Sequence, residues 1–148
     1  MPDILHRVGV KSSTHDVYRA LTTIDGLAGW WTVTTSGDST VGGRIHFQFG
    51  DRGAFDMKVL ELVPGQRVLW DVVDGPAEWV GTKVSFDLRQ DDEQATVMFK
   101  HAGWAEPVEF MHHCSTKWAT FLMSLKAMIE TGTGTPMPDD VRITVNWD

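Results

Sequence analysis

Residues 14–31, THDVYRALTTIDGLAGWW, decide how the rest of the chain is read. Ser12, Ser13 and Thr14 each offer an N-cap oxygen, and Ser13 with Asp16 three residues on resembles a capping box with Asp in place of Glu. Val17, Ala20, Leu21 and Ile24 recur at helical spacing and form one apolar face. Asp25-Gly26 reads as a break, after which Leu27, Trp30 and Trp31 continue that face through a second short helical turn. A lone strand, Ile4 to Val10, stands before this pair of small helices.

From there to His101 almost every segment alternates with the period of a strand. Ile45, Phe47 and Phe49 share one side of a strand from Arg44 to Phe49 that Gly42-Gly43 opens. Phe55, Met57 and Val59 begin a strand that runs to Val63, and Pro64-Gly65 is a turn by its chemistry. Val68 to Val73 is closed by Asp74-Gly75-Pro76, and Val80 to Leu88 gives the most regular alternation. A polar turn, Gln90 to Glu93, leads to a strand with Ala95, Val97, Phe99 and His101 on one face. Pro107 suits the first turn of a long helix whose apolar stripe is Met111, Cys114, Trp118, Phe121, Leu122, Leu125 and Ile129, ending at Gly132. One strand, two short helices, a run of hairpins and one terminal helix predict an α+β domain. In it a curved antiparallel sheet, wet on one face, holds the long helix over a cavity. The tail, Val141 to Trp147, again alternates and is expected to add an edge strand within residues 139–148, to its own sheet or to a partner's, which would make a homodimer.

The 148 residues fit a single domain, 1–148, and the 42% hydrophobic and 22% charged content is that of an ordinary globular protein. The unusual number is seven tryptophans against one tyrosine, two or three of which are expected on a pocket wall. A net charge of -7 without any Lys/Arg cluster argues against nucleic acid as a partner. No apolar run is long enough for a membrane span, and the N-terminus does not read as a signal peptide. The single cysteine, Cys114, rules out an internal disulfide and fits a cytoplasmic location.

No catalytic set stands out. His112 and His113 point about 100° apart on a helix and cannot chelate one ion together; Glu109 and His113 could, but a solvated helix face accounts for them. Cys114, on the apolar stripe, reads as a buried structural thiol. Neither a metal nor a cofactor is expected. Inward parity puts Trp31, Phe47, Phe49, Trp70, Phe86, Phe99, Trp118 and Phe121 on the cavity walls. His101 is the one titratable side chain on that face, either a polar group that orients a ligand or a structural histidine at the sheet rim.

The segments VYRALTTIDGLAGWW, VGGRIHFQF, LELVPGQRVLWDV, ATVMFKHAGW and KWATFLMSLKAMIETGTGTP together resemble the START/SRPBCC superfamily, and within it the stand-alone bacterial homologues of the heat-shock-protein ATPase activator. The resemblance covers nearly the whole chain and implies a helix-grip fold. Members with known roles bind lipids, hormones or polyketides, and some are cyclases or other lyases. The resemblance therefore implies binding of a small, mainly apolar, lipid- or polyketide-like molecule between the sheet and the last helix. One alternative is a cyclase- or lyase-type enzyme with His101 as acid or base. Another is a chaperone-linked interaction domain with a filled core, although the eukaryotic activator's separate chaperone-binding domain has no counterpart in this sequence.

Overall fold

The computed structural model describes residues 1–145. In chain order the elements are β1 (Ile4–Lys11), α1 (Thr14–Thr22), α2 (Ile24–Trp30), β2 (Thr34–Gly37), β3 (Arg44–Gln48), β4 (Ala54–Val63), β5 (Arg67–Asp74), β6 (Lys83–Asp91), β7 (Gln94–Ala102) and α3 (Glu109–Thr131). The seven strands form one antiparallel sheet in the order β1-β7-β6-β5-β4-β3-β2. The helices cover one face of this curved, open sheet, as expected of an α+β helix-grip fold, and a single apolar core joins sheet and helices. On the other face charged side chains pair across strands, as Arg67 does with Glu61 at 2.8 Å and Asp87 at 2.6 Å.

The opening helices form where their caps dictate. Ser13 Oγ accepts from the Asp16 N–H at 3.1 Å and starts α1. The break between the helices falls at Thr23, not at the expected Asp25-Gly26. Thr23 leaves the helical conformation (ψ 146°), and its hydroxyl accepts from the Gly26 N–H at 3.0 Å, capping α2. Gly26 is there for close approach rather than for a turn, because a Cβ would lie 2.7 Å from the Ala20 carbonyl oxygen.

Three further segments differ from expectation. β2 is an edge strand, Thr34–Gly37, that pairs with β3 but carries no apolar alternation, so periodicity could not reveal it. β6 starts at Lys83 instead of Val80. Residues 75–82 form a compact connection closed by the Gly81 N–H to the Val72 carbonyl (2.9 Å) and the Thr82 N–H to the Trp79 carbonyl (2.9 Å). Val80 consequently faces solvent while Trp79 turns inward. The tail forms no strand over residues 141–145, where Val141 and Val145 are exposed; Trp147 lies outside the described residues. What packs instead is the segment before it. Met137 bonds through its N–H to the Trp31 carbonyl (2.9 Å), and its carbonyl accepts from the Val33 N–H (3.2 Å), in a parallel bridge to Thr32.

Candidate functional site

The interface between sheet and α3 has two parts with opposite character. In the first, at the centre of the sheet, side chains from both sides meet and leave no room. Phe86 on β6 lies edge-on to Trp70 (5.3 Å between centroids) and to Phe99 (5.3 Å), and Phe99 packs on Trp118 of α3 at 4.6 Å. Phe47 packs against Trp31 at 4.4 Å. His101, on β7, is fully buried in this part. The Trp118 indole N–H donates to its Nδ1 at 3.1 Å. Since indole is a donor only, Nδ1 must be the acceptor and Nε2 must carry the proton. Nε2 then donates to Thr82 Oγ1 at 2.7 Å, and that hydroxyl donates to the Trp79 carbonyl at 2.5 Å. The imidazole is thus neutral with both nitrogens engaged, and burial pushes its pKa down to about 3.

The second part is a cleft of about 760 Å³ at the other end of the interface. Its floor is Trp31 and Trp118, 4.9 Å apart between ring centroids. One wall is the N-terminal half of α3, with Phe110, His113, Cys114, Lys117 and Phe121. A second runs from Phe49 through the β3–β4 connection, with its single 3-10 turn Gly50–Arg52, to Ala54 and Phe55 at the start of β4. The third is the β5–β6 connection, from which Trp79 stacks on Phe55 at 4.2 Å and runs nearly parallel to Trp118 at 5.9 Å. Gly75, at φ 144°, lets this connection come in over Phe55, whose ring would lie 3.1 Å from any Cβ there. Asp51, Arg52 and Asp74 stand at the exposed rim.

Of the nine residues expected on the cavity walls, Trp31, Phe49, Trp118 and Phe121 line the cleft. Phe47, Trp70, Phe86, Phe99 and His101 do not; they point to the covered face as their parity requires, but the opposite side chains fill the space they face. His101 is therefore a core hydrogen-bonding residue and not the polar group of the pocket. Sequence reading missed Phe55, Trp79, Arg52 and Lys117 as lining residues. Trp79 sits one residue before the strand that was expected to start at Val80, and only the excess of tryptophans hinted at it.

At one corner the cleft carries a charged cluster that no local sequence pattern signals. Asp140, past the end of α3, is buried, with its side chain 1% exposed. Its carboxylate accepts both Arg52 guanidinium N–H groups, Nη2 to Oδ1 at 3.1 Å and Nη1 to Oδ2 at 3.2 Å, and the Lys117 ammonium at 2.6 Å. Burial pushes this carboxyl up, but the hydrogen bonds and charges of Arg52 and Lys117 outweigh it and hold it below the usual range. Lys117 also donates to the Val141 carbonyl at 2.8 Å and lies 5.0 Å over the Phe121 ring.

Cys114 is buried at the cleft wall, where its sulfur accepts from the Trp79 indole N–H at 3.4 Å; burial pushes the thiol up to about 12. His113 stacks on Phe110. Among the described residues no three His, Cys, Asp or Glu side chains are placed to hold a metal ion, and no helix is long and apolar enough to cross a membrane.

Comparison with known proteins bears on the same fold. A family model described as activator of Hsp90 ATPase homolog 1-like protein matches residues 11–130. No curated protein matches the chain. Among solved structures, the chain is similar to the Aha1 dimer from Colwellia psychrerythraea, with 46% identity over 90% of this chain and 100% of that one and a TM-score of 0.84. It also resembles a Staphylococcus saprophyticus protein (15% identity, 90% and 95% of the two chains, TM-score 0.75). CalU16 from Micromonospora echinospora is a further likeness (19% identity, 90% and 77%, TM-score 0.73). At the identities of these last two, the likeness shows the fold alone.

Proposed function

We propose that this chain, which belongs to the family of activator of Hsp90 ATPase homolog 1-like proteins, binds a small, mainly apolar molecule in the cleft between α3 and the two connections that face it. The observation that carries this reading is a recess of about 760 Å³ walled by stacked aromatic rings, within the size range of small-molecule sites. Rings held by other rings lose little freedom when a ligand enters, so a flat or ring-bearing molecule of lipid- or polyketide-like character suits them best. His101 takes no acid–base part in this reading, since it has neither access to the cleft nor a free nitrogen. The lone cysteine fits a cytoplasmic site of action. A homodimer through the tail is a second element of the proposal. The exposed Val141 and Val145 favour it, as does the dimeric state of the Colwellia psychrerythraea protein, and light scattering of the chain with and without residues 141–148 tests it.

The binding reading is tested by titrating the protein with N-phenyl-1-naphthylamine, whose fluorescence rises in apolar surroundings. Ala54→Trp fills the cleft from the start of β4. Saturable binding to the parent, weakened about tenfold or more in a variant that melts at the same temperature, is the expected result. Equal affinity in both proteins, or no binding at all, overturns the reading.

A further inference from the structure

Three tryptophans crowd round His101, and two of their indole N–H groups have acceptors. Trp118 donates to His101 Nδ1 at 3.1 Å, and Trp79 donates to Cys114 Sγ at 3.4 Å. Trp104 is the third. Its ring is buried, 5.0 Å from the His101 ring between centroids. Its Nε1 is the one enclosed side-chain nitrogen or oxygen among the described residues without a hydrogen-bond partner. The chemistry of the neighbours explains the shortfall. An indole nitrogen only donates, the neutral imidazole of His101 has a single acceptor, and Trp118 already holds it. Buried donors are nearly always paired, because an unpaired one has lost its water and gained nothing in return.

Trp104 lies one ring behind the cleft wall. It stands edge-on to Trp79 at 6.4 Å and to Phe110 at 6.3 Å, and both of these line the cleft. Trp79 is fastened by its own indole bond and by Thr82, whose N–H and hydroxyl both donate to the Trp79 carbonyl. Phe110 is half-buried, on a first helical turn whose N-cap, Val108, supplies no side-chain bond. Phe110 is therefore the ring that gives way most readily.

We infer that the ligand of this cleft carries a neutral carbonyl oxygen at its inner end, and that this oxygen accepts the Trp104 indole N–H once Phe110 swings aside. This rests on the binding reading above and adds the ligand's polar group and its orientation. The apolar body lies in the aromatic cleft, and the carbonyl end passes between Trp79 and Phe110. A carboxylate is the wrong head for this place. Trp79, His101 and Phe110 surround Trp104, and none of them brings a positive charge to meet it. A hydrocarbon of the same shape leaves the donor as it was, so the indole N–H distinguishes a ketone from it. The donor has no partner to give up, so the ketone gains the bond without first displacing one.

The test compares 2-acetylnaphthalene with 2-ethylnaphthalene, one ring body with and without the oxygen, as displacers of N-phenyl-1-naphthylamine. In the parent the ketone should displace the reporter about tenfold better than the hydrocarbon. Trp104→Phe keeps a ring and removes the N–H, and should bring the two compounds to near equality by weakening the ketone alone. In the unaltered protein, the Trp104 indole N–H resonance, assigned through its neighbours, should move downfield with the ketone and not with the hydrocarbon. That measurement stands even if the variant folds poorly. Equal displacement by both compounds in the parent, a preference for the ketone that survives in the variant, or an indole resonance that ignores the ketone overturns the inference while leaving the binding reading in place. Failure of the reporter itself to bind overturns both.

Discussion

Phe99 and Phe55 occupy comparable positions, each an aromatic on the covered face of a strand, yet Phe99 is sealed against Trp118 while Phe55 borders open space. The difference lies in what stands opposite. Around Phe99, three neighbouring strands and α3 run without interruption, and their side chains interlock to the density of a core. Around Phe55 the chain twice leaves the sheet, at Gly50–Arg52 and again over residues 75–82, and the rings rest on connections whose spacing is set by turn geometry. Strand parity tells which way a residue points. Whether it meets a neighbour or a void depends on segments that parity does not describe.

The sharpest way to break this contrast is to truncate a side chain in each part. His101→Ala removes a buried ring and leaves the Trp118 indole N–H without its acceptor, so it should cost about 3–5 kcal/mol in a urea unfolding experiment. Phe55→Ala, at a half-buried ring beside an existing cavity, should cost about 1–2 kcal/mol, because less of its surface is covered. Similar losses at the two positions would mean that the cleft is as tightly packed as the core.

A second test uses protons. In the folded chain His101 stays neutral down to about pH 3, whereas in the unfolded chain it charges near pH 6.5. Between those values the unfolded state binds the extra proton, so stability falls as pH is lowered from about 6.5, by up to about 1.4 kcal/mol per pH unit from this group. His101→Gln should flatten that part of the stability profile relative to the parent. An unchanged slope would show that the imidazole is not as dry as its surroundings make it.

The Asp140 cluster gives the next largest effect. Asp140→Asn removes one partner of a buried ionic cluster whose other members, Arg52 and Lys117, keep some contact with water. The loss should be about 1–2 kcal/mol, below that of a fully enclosed pair. Because the folded carboxyl lies below its ordinary pKa, this contribution is complete above about pH 4 and disappears as pH falls further. A variant as stable as the parent at pH 7 would show that the bonds of Arg52 and Lys117 to Asp140 add nothing to the stability of the fold.

Much of this architecture is legible in the sequence, for reasons that particular residues illustrate. Ser13 as a cap, the alternation around Phe47, Phe86 and Phe99, and the stripe through Cys114, Trp118 and Leu125 are all local patterns, and each stands where it was expected. β2 escaped because an exposed edge strand of Thr, Thr, Ser and Gly has no apolar period. The cleft was legible only by halves. Trp31, Phe49, Trp118 and Phe121 lie on periodic elements or at their ends, whereas Trp79 and Arg52 lie in connections. The Asp140 cluster joins positions 52, 117 and 140, a separation at which no spacing rule operates. His101 shows the limit of parity most plainly. The direction of the side chain was right, but Trp118 and Thr82, which engage it, come from other elements.

The smallest expected effect concerns Cys114, which stands on the border between the two parts. Its sulfur lines the cleft, so access alone would make it reactive, yet the thiol is pushed up to about 12 by burial beside apolar rings. At pH 8 the thiolate fraction is then lower than that of an ordinary cysteine by about three orders of magnitude; the higher intrinsic nucleophilicity of so basic a thiolate recovers part of this. The native protein should therefore react with 5,5′-dithiobis(2-nitrobenzoate) about a hundredfold more slowly than free cysteine. Saturating N-phenyl-1-naphthylamine should slow it further by covering the sulfur. Cys114→Ala should change stability by about 1 kcal/mol or less, since the position loses one sulfur atom next to space that is already open. A thiol that reacts as fast as free cysteine would place Cys114 in water, and the α3 wall of the cleft would then be polar where the ring stack requires it to be dry.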